Sequence, residues 1–103
     1  VTIYGDGEQK RDWVFVGDIV AAFQTAINAD ISFDIISIAS GVSKTVNELF
    51  LLIKRKYNYK KQPIMKKARD GDITKMVMDN KKAKKILGWE AKVDLAVGIS
   101  LIK

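Results

Sequence analysis

Tyr4-Gly5-Asp6-Gly7-Glu8-Gln9-Lys10-Arg11-Asp12-Trp13-Val14-Phe15-Val16-Gly17-Asp18-Ile19-Val20 sets a glycine turn, an Arg-Asp pair, an apolar run and a helix start side by side. Glycine reaches positive φ without steric cost, so Gly5-Asp6-Gly7 reads as a turn. A phosphate-cradling loop is the competing reading, but no Lys-Ser or Lys-Thr follows it. Ahead of the turn, Val1-Thr2-Ile3-Tyr4 is β-branched and aromatic and predicts a short strand. Behind it, Trp13-Val14-Phe15-Val16 predicts another. Asp18 then stands where a helix N-cap belongs. The helix expected there runs from Ile19 to Ala29, with Ile19, Ala22, Phe23 and Ala26 on one apolar stripe.

Farther along, Phe33 to Ala39 is apolar except for Asp34 and Ser37, the pattern of a strand buried on both faces of a parallel sheet. Thr45-Val46-Asn47-Glu48 has the form of a capping box, in which Thr and Glu satisfy each other's free amides. Val46, Leu49, Phe50, Ile53 and Tyr57 follow at helical spacing. Pro63-Ile64-Met65 predicts a short edge strand, and Arg69-Asp70-Gly71-Asp72 a turn. Asp79 is placed to cap a helix with Ala83, Ile86 and Leu87 on its apolar face, stopped by Gly88. Asp94 caps a last helix carrying Leu95, Ile99 and Ile102. Short strands alternating with about four helices make the class α/β or mixed α+β.

At 103 residues, one domain is the natural unit, since domains commonly hold about 100–150 residues. There is no cysteine or histidine, so no disulfide framework, thiol chemistry or imidazole catalyst is available; cysteine-free composition fits a cytoplasmic protein. No apolar run reaches the roughly 20 residues needed to cross a bilayer. Asp70 and Asp72 are too few and too dispersed for a metal site. Thirteen of the eighteen Lys and Arg residues lie between Lys54 and Lys85, where only Asp70, Asp72 and Asp79 oppose them. A basic module for a polyanion is one reading of that concentration, and a solvated lysine-rich surface the plainer one. The lack of stacking aromatics, zinc spacing or heptads argues against nucleic acid.

Three segments, in order, resemble the extended short-chain dehydrogenase/reductase family, in particular its UDP-glucose 4-epimerase-like nucleotide-sugar epimerases and dehydratases. The first is Tyr4-Gly5-Asp6-Gly7 leading into Arg11-Asp12-Trp13-Val14-Phe15-Val16 and Asp18. The second is Ile36-Ser37-Ile38-Ala39-Ser40-Gly41 with Thr45-Val46 and Glu48-Leu49. The third is Arg69-Asp70-Gly71-Asp72-Ile73, then Asp79, Ala83, Leu87-Gly88-Trp89 and Leu95-Ala96-Val97-Gly98-Ile99. Ser37, where many members have asparagine, and Asp70, where many have proline, blur the subfamily more than the family.

The resemblance implies that residues 1–103 form a single partial domain, the C-terminal, substrate-binding part of a Rossmann-type enzyme whose N-terminal NAD-binding domain is absent. It implies an NAD-dependent nucleotide-sugar epimerase as the parent, with a 4,6-dehydratase or reductase as the alternative, a UDP- or dTDP-sugar as substrate, and a homodimeric assembly. It also implies that Arg11 and Arg69 reach the substrate diphosphate. Chemistry agrees with that transfer, because a guanidinium grips phosphate oxygens in a bidentate way and never loses its charge. The competing role for each is a salt bridge, Arg11 with Asp12 or Arg69 with Asp72. Trp13 and Trp89 are expected in core packing rather than on a base. The family's Gly-x-x-Gly-x-x-Gly does not occur, so no NAD binding and no catalysis are expected of these residues alone. Tyr57-x-x-x-Lys61 matches the bare spacing of the family's catalytic pair, but it follows the substrate-side motifs instead of preceding them and reads as a chance match.

Overall fold

The computed structural model describes all residues, Val1–Lys103. In chain order its elements are β1 (Thr2–Tyr4), β2 (Lys10–Asp12), α1 (Val16–Ile27), β3 (Ser43–Thr45), α2 (Val46–Lys56), β4 (Ile64–Lys66), α3 (Lys81–Leu87) and α4 (Leu95–Leu101). The mixed α/β class with four helices is the one the sequence predicts. The sheets are minimal: β1 pairs with β4 in parallel and β2 with β3 in antiparallel. An isolated parallel bridge between Lys10 and Lys75 extends the first alignment past the glycine turn.

The strongest local prediction holds at α2. The Thr45 hydroxyl accepts from the Glu48 amide at 3.0 Å, and the Glu48 carboxylate accepts from the Thr45 amide at 2.7 Å. That second bond, assisted by the charge of nearby Lys44, holds the Glu48 carboxyl below its ordinary range. The two earlier amides of the helix find partners in the glycine turn. Val46 N–H donates to the Gln9 carbonyl at 3.2 Å, and Asn47 N–H to the Gly7 carbonyl at 3.0 Å. Thus the orphan donors of the first turn are met by a loop forty residues away in sequence. Gly7 is obligatory here: its φ is +78°, and a Cβ would sit 2.0 Å from the Asn47 side chain.

Around α1 the structure corrects three expectations. Trp13–Phe15 is extended but pairs with no strand, and the strand of this region is β2, three residues earlier. The helix begins at Val16, with Phe15 as its cap residue and the Phe15 carbonyl taking the amides of Asp18 and Ile19. Asp18 is therefore inside the first turn rather than its cap. Its carboxylate Oδ2 instead accepts from the Lys92 and Val93 amides, both at 3.0 Å, and its carbonyl accepts from Trp89 Nε1 at 2.9 Å. At 7% exposure, Asp18 ties the segment after α3 to the start of α1. The local sequence could not reveal those partners, which lie more than seventy residues away.

The segment 33–39 is the fourth correction. It forms no strand, and Phe33 and Ile35 are 84% and 78% exposed. Ile36 and Ile38 are half-buried against the small core of Ala22, Ala83 and Trp89. The apolar residues are thus in place for an extended segment, but no neighbouring strand supplies a hydrogen-bonding ladder. At α3, Asn80 occupies the cap position, while Asp79 takes the Lys81 amide at 2.8 Å from one residue earlier. Gly88 ends that helix at φ +62°, and Asp94 caps α4 through the Val97 amide at 2.9 Å, both as the sequence predicts.

α1 packs on α3 and α2 on α4. The whole measures 50 × 32 × 16 Å with a radius of gyration of 16.2 Å, against about 13 Å for a compact domain of this length. It is a plate one layer thick in places, which is why only 10 of 103 residues are buried. No helix is long and apolar enough to cross a membrane.

Candidate functional site

The two arginines singled out by the sequence lie 58 positions apart, and the backbone brings their segments together. β4 runs beside β1 in the register Thr2–Ile64, Ile3–Met65 and Tyr4–Lys66. Gly5 N–H then donates to the Lys66 carbonyl at 2.8 Å. The alignment resumes at Lys10, whose N–H donates to the Thr74 carbonyl at 2.8 Å and whose carbonyl accepts from Met76 N–H at 2.9 Å. The turn carrying Arg69 is the arc between these two anchor points, so it must project beside the glycine turn and Arg11.

Arg11 does not pair with Asp12. Its Nη2 donates to Asp72 Oδ1 at 2.6 Å, and its Nη1 to the carbonyls of Ile73 at 2.5 Å and Lys10 at 2.8 Å. Asp12 turns the other way and grips the Ser40–Gly41 turn, accepting from both backbone amides at 2.9 Å and from the Ser40 hydroxyl at 2.6 Å. The Arg-Asp pair in sequence is therefore a divided device: the aspartate fixes the strand and the arginine faces the 69–73 turn. Arg69 does not pair with Asp72 either. Its guanidinium lies over the Tyr4 ring, 4.1 Å from the centroid, a cation–π placement.

The partners of the two arginines, Asp72 and Tyr4, line one shallow depression together with Gly5, Gln9, Ala68 and Thr74. Tyr4 and Asp72 are the participants that sequence reasoning missed as site residues. Tyr4 reads as a strand residue and Asp72 as a turn residue, and only pairing across some sixty residues reveals their roles. Around the depression, Gln9 Nε2 donates to the Tyr4 carbonyl at 2.8 Å. Asp6 accepts from the Glu8 amide at 2.9 Å, and Glu8 accepts from the Asn47 amide group at 2.6 Å. Those two carboxylates are already engaged locally. The depression itself is lined by the carboxylates of Asp6, Glu8 and Asp72, and the two guanidinium groups meet it through their partners Asp72 and Tyr4.

The glycine turn itself does not form a phosphate cradle. Its carbonyls point at the first turn of α2, and the Gly5 amide is engaged by Lys66. Tyr57 ends α2, with its hydroxyl 3.5 Å from the Lys103 carbonyl and Lys56 Nζ over its ring; Lys61 takes no part in this arrangement. In the lysine-rich span, Lys82 pairs with Asp34 and lowers that carboxyl's pKa, Lys84 pairs with Glu90, and Lys56 donates to the Ile99 and Ser100 carbonyls. These cations serve separate local contacts. Of the two tryptophans, Trp89 is core, at 5% exposure. Trp13 is half-buried beside an apolar hollow that includes Phe15, Leu49, Leu95 and Ile99, and its Nε1 is buried without a partner.

Comparison with known proteins bears on this arrangement. Residues 1–102 match the family model described as GDP-mannose 4,6 dehydratase. A putative UDP-glucose 4-epimerase of Methanocaldococcus jannaschii is 39% identical over 97% of this chain and 32% of its own length. The structure superimposes with a TM-score of 0.90 on a UDP-glucose 4-epimerase of Thermotoga maritima solved with UDP-glucose, at 44% identity over 98% of this chain and 32% of that one. MoeE5, solved with UDP-glucuronic acid and NAD, gives a TM-score of 0.89 at 29% identity over 97% of this chain and 34% of that one. The chain thus spans about a third of the length of these relatives. It belongs to the GDP-mannose 4,6 dehydratase family, among the nucleotide-sugar epimerases and dehydratases of the extended short-chain dehydrogenase/reductase fold, and corresponds to the C-terminal portion of that fold.

Proposed function

We propose that this chain is the substrate-holding portion of an NAD-dependent nucleotide-sugar epimerase of the UDP-glucose 4-epimerase kind, and that Arg11 and Arg69 grip the diphosphate of a UDP- or dTDP-sugar. The observation that carries the reading is that the two arginines, from opposite halves of the chain, each contact a residue lining one polar depression, Arg11 through Asp72 and Arg69 through Tyr4. The relative solved with UDP-glucose, at 44% identity, supports the substrate class. Binding the diphosphate at two points fixes the sugar's position without any chemistry at the phosphates, which is how remote contacts assist a reaction elsewhere on a substrate. The proton and hydride steps belong to residues outside this portion.

NAD supplies hydride transfer when bound in such an enzyme, but the residues present do not fit it. The only closely spaced glycines direct carbonyls, not amides, toward their neighbour, and Gly7 is covered by Asn47. The cofactor is therefore assigned to the remainder of a longer parent, and turnover by residues 1–103 alone would contradict the reading. The direct test is calorimetric titration with UDP. Arg11→Lys keeps the charge but loses the fork, and the expected result is about tenfold weaker binding, one bidentate pair's difference. Unchanged affinity in that variant, or no UDP binding by the unsubstituted protein, would overturn the proposal.

A further inference from the structure

We infer that residues 1–103 self-associate as a two-fold pair, in which the segment 33–39 of each copy lies antiparallel to the same segment of the other and covers the open apolar flank of α1. The inference is independent of the diphosphate reading and concerns the side of the molecule that carries no cation.

The segment 33–39 has the character of a strand and lacks only a neighbour. Asp34, Ile36 and Ile38 line a hollow against Ala22 and Phe23 of α1, while Phe33, Ile35 and Ser37 between them are exposed. That alternation is the period of two of an extended chain. No backbone–backbone hydrogen bond involves any residue from 33 to 39. Side chains meet part of the need: Asp34 Oδ1 accepts from Ile35 N–H at 2.7 Å, Lys82 Nζ donates to the Ile35 carbonyl at 2.9 Å, and Asn80 Nδ2 donates to the Ala39 carbonyl at 3.3 Å. The amides and carbonyls of Ile36, Ser37 and Ile38 are left unpaired within the chain. A row of free N–H and C=O groups is a template for a further strand. Antiparallel pairing about a two-fold axis lets two identical segments serve each other, because each residue's partner on the second copy is matched in return.

Area and charge both favour a second copy as the occupant. Phe23, Ile27, Phe33 and Ile35 are 66%, 82%, 84% and 78% exposed. With Ile31 they leave on the order of 700 Å² of apolar surface open, near the roughly 800 Å² that each partner brings to a stable interface. A contiguous apolar patch of that size marks a contact surface on a small protein. Residues 12–43 hold four aspartates and no lysine or arginine, so all eighteen cations, opposed by eight carboxylates, lie elsewhere. Two copies, each with a net charge of +6, therefore approach with least repulsion on this side. Of its carboxylates, Asp12 is bonded to the Ser40–Gly41 turn, Asp18 is buried on the Lys92 and Val93 amides, and Asp34 is paired with Lys82. Asp30 alone stays free, a single exposed charge that water can screen.

The experiment is sedimentation equilibrium from about 10 µM to about 1 mM, which brackets a dissociation constant on the order of 100 µM, the weak end expected of an interface at the lower size limit. Unfolding measured on dilute protein therefore reads the single copy. The expected result is a mass that rises from the 11.5 kDa of one chain towards twice that value and no further. Amide hydrogen exchange across residues 36–38 should slow at the upper concentration and not at the lower. Phe33→Glu and Ile35→Glu each set an unpaired charge against an apolar partner and should weaken association about tenfold. Leu51→Glu, at an exposed apolar position on α2, should leave it as it was. A mass of one chain at every concentration overturns the pair and leaves the face to the remainder of a longer parent. Masses beyond two copies overturn the closed two-fold arrangement. Doubling of the mass with unchanged exchange at 36–38 overturns the strand pairing. Equal weakening by all three variants would reduce the contact to unspecific apolar adhesion and overturn it as well. The variants change exposed residues, and unfolding midpoints in dilute solution equal to that of the parent sequence provide the folding control.

Discussion

The segments 64–76 and 31–39 both cross the plate in largely extended form, and their composition predicts opposite fates. The first carries four cations and contains a glycine tip; the second is dense in isoleucine. Yet the charged segment is the one built into a ladder, through β4 and the Lys10–Lys75 bridge. The apolar one is anchored by the half-buried Ile36 and Ile38 and the buried Ala39, and leaves Phe33 and Ile35 in the open. A strand is made by a partner for its amides and carbonyls, and side-chain character only chooses which face is covered. The apolar edge is held instead by side-chain bonds, from Lys82 to Asp34 and the Ile35 carbonyl and from Asn80 to the Ala39 carbonyl.

This comparison can be broken at its strongest point first. The core that supports residues 36 and 38 is small, so Trp89→Ala should cost about 3–5 kcal/mol, the usual range for emptying a buried aromatic site. Denaturant titration by far-UV circular dichroism reads it, and a loss under 1 kcal/mol would mean that this core does not organise the plate. Next in size is Asp18→Ala. It leaves the Lys92 and Val93 amides without their acceptor and should cost about 2 kcal/mol, with faster hydrogen exchange at those two amides as its signature. Exchange confined to α1 would return Asp18 to the role of a local helix residue. Smallest of all is Phe33→Ser. An exposed side chain outside any cap or core should change stability by no more than about 0.5 kcal/mol. A loss of several times that would show the apolar edge to be packed after all, and would erase the difference between the two segments.

Much of the local architecture was legible in the residues, for identifiable reasons. The capping box at Thr45 and Glu48, the cap at Asp94, the stop at Gly88 and the turns at Gly5–Gly7 and Gly71 all depend on bonds or dihedral angles within a few residues. Asp18 misled because an aspartate before an apolar stripe is the ordinary mark of a helix start, and its actual acceptor role lies across the fold. Trp13–Val16 misled because β-propensity cannot say whether a neighbouring strand exists. At the candidate site, Arg11 and Arg69 stand out because arginine is rare in a chain with fifteen lysines and both occupy motif positions. Asp72 and Tyr4 escaped, since nothing near either residue records its partner.

The sequence by itself determined where this chain turns, where three of its four helices start or stop, and which side chains carry a planar, permanently charged guanidinium. These properties are local, set by φ preferences, capping chemistry and the guanidinium group. Only the tertiary structure decided that the Arg-Asp pair at 11 and 12 divides its work, that Arg69 stacks on Tyr4, and that Asp72 joins the two arginine segments. Those outcomes follow from the parallel alignment of residues 2–10 with 64–75, a pairing between distant stretches that no local preference specifies.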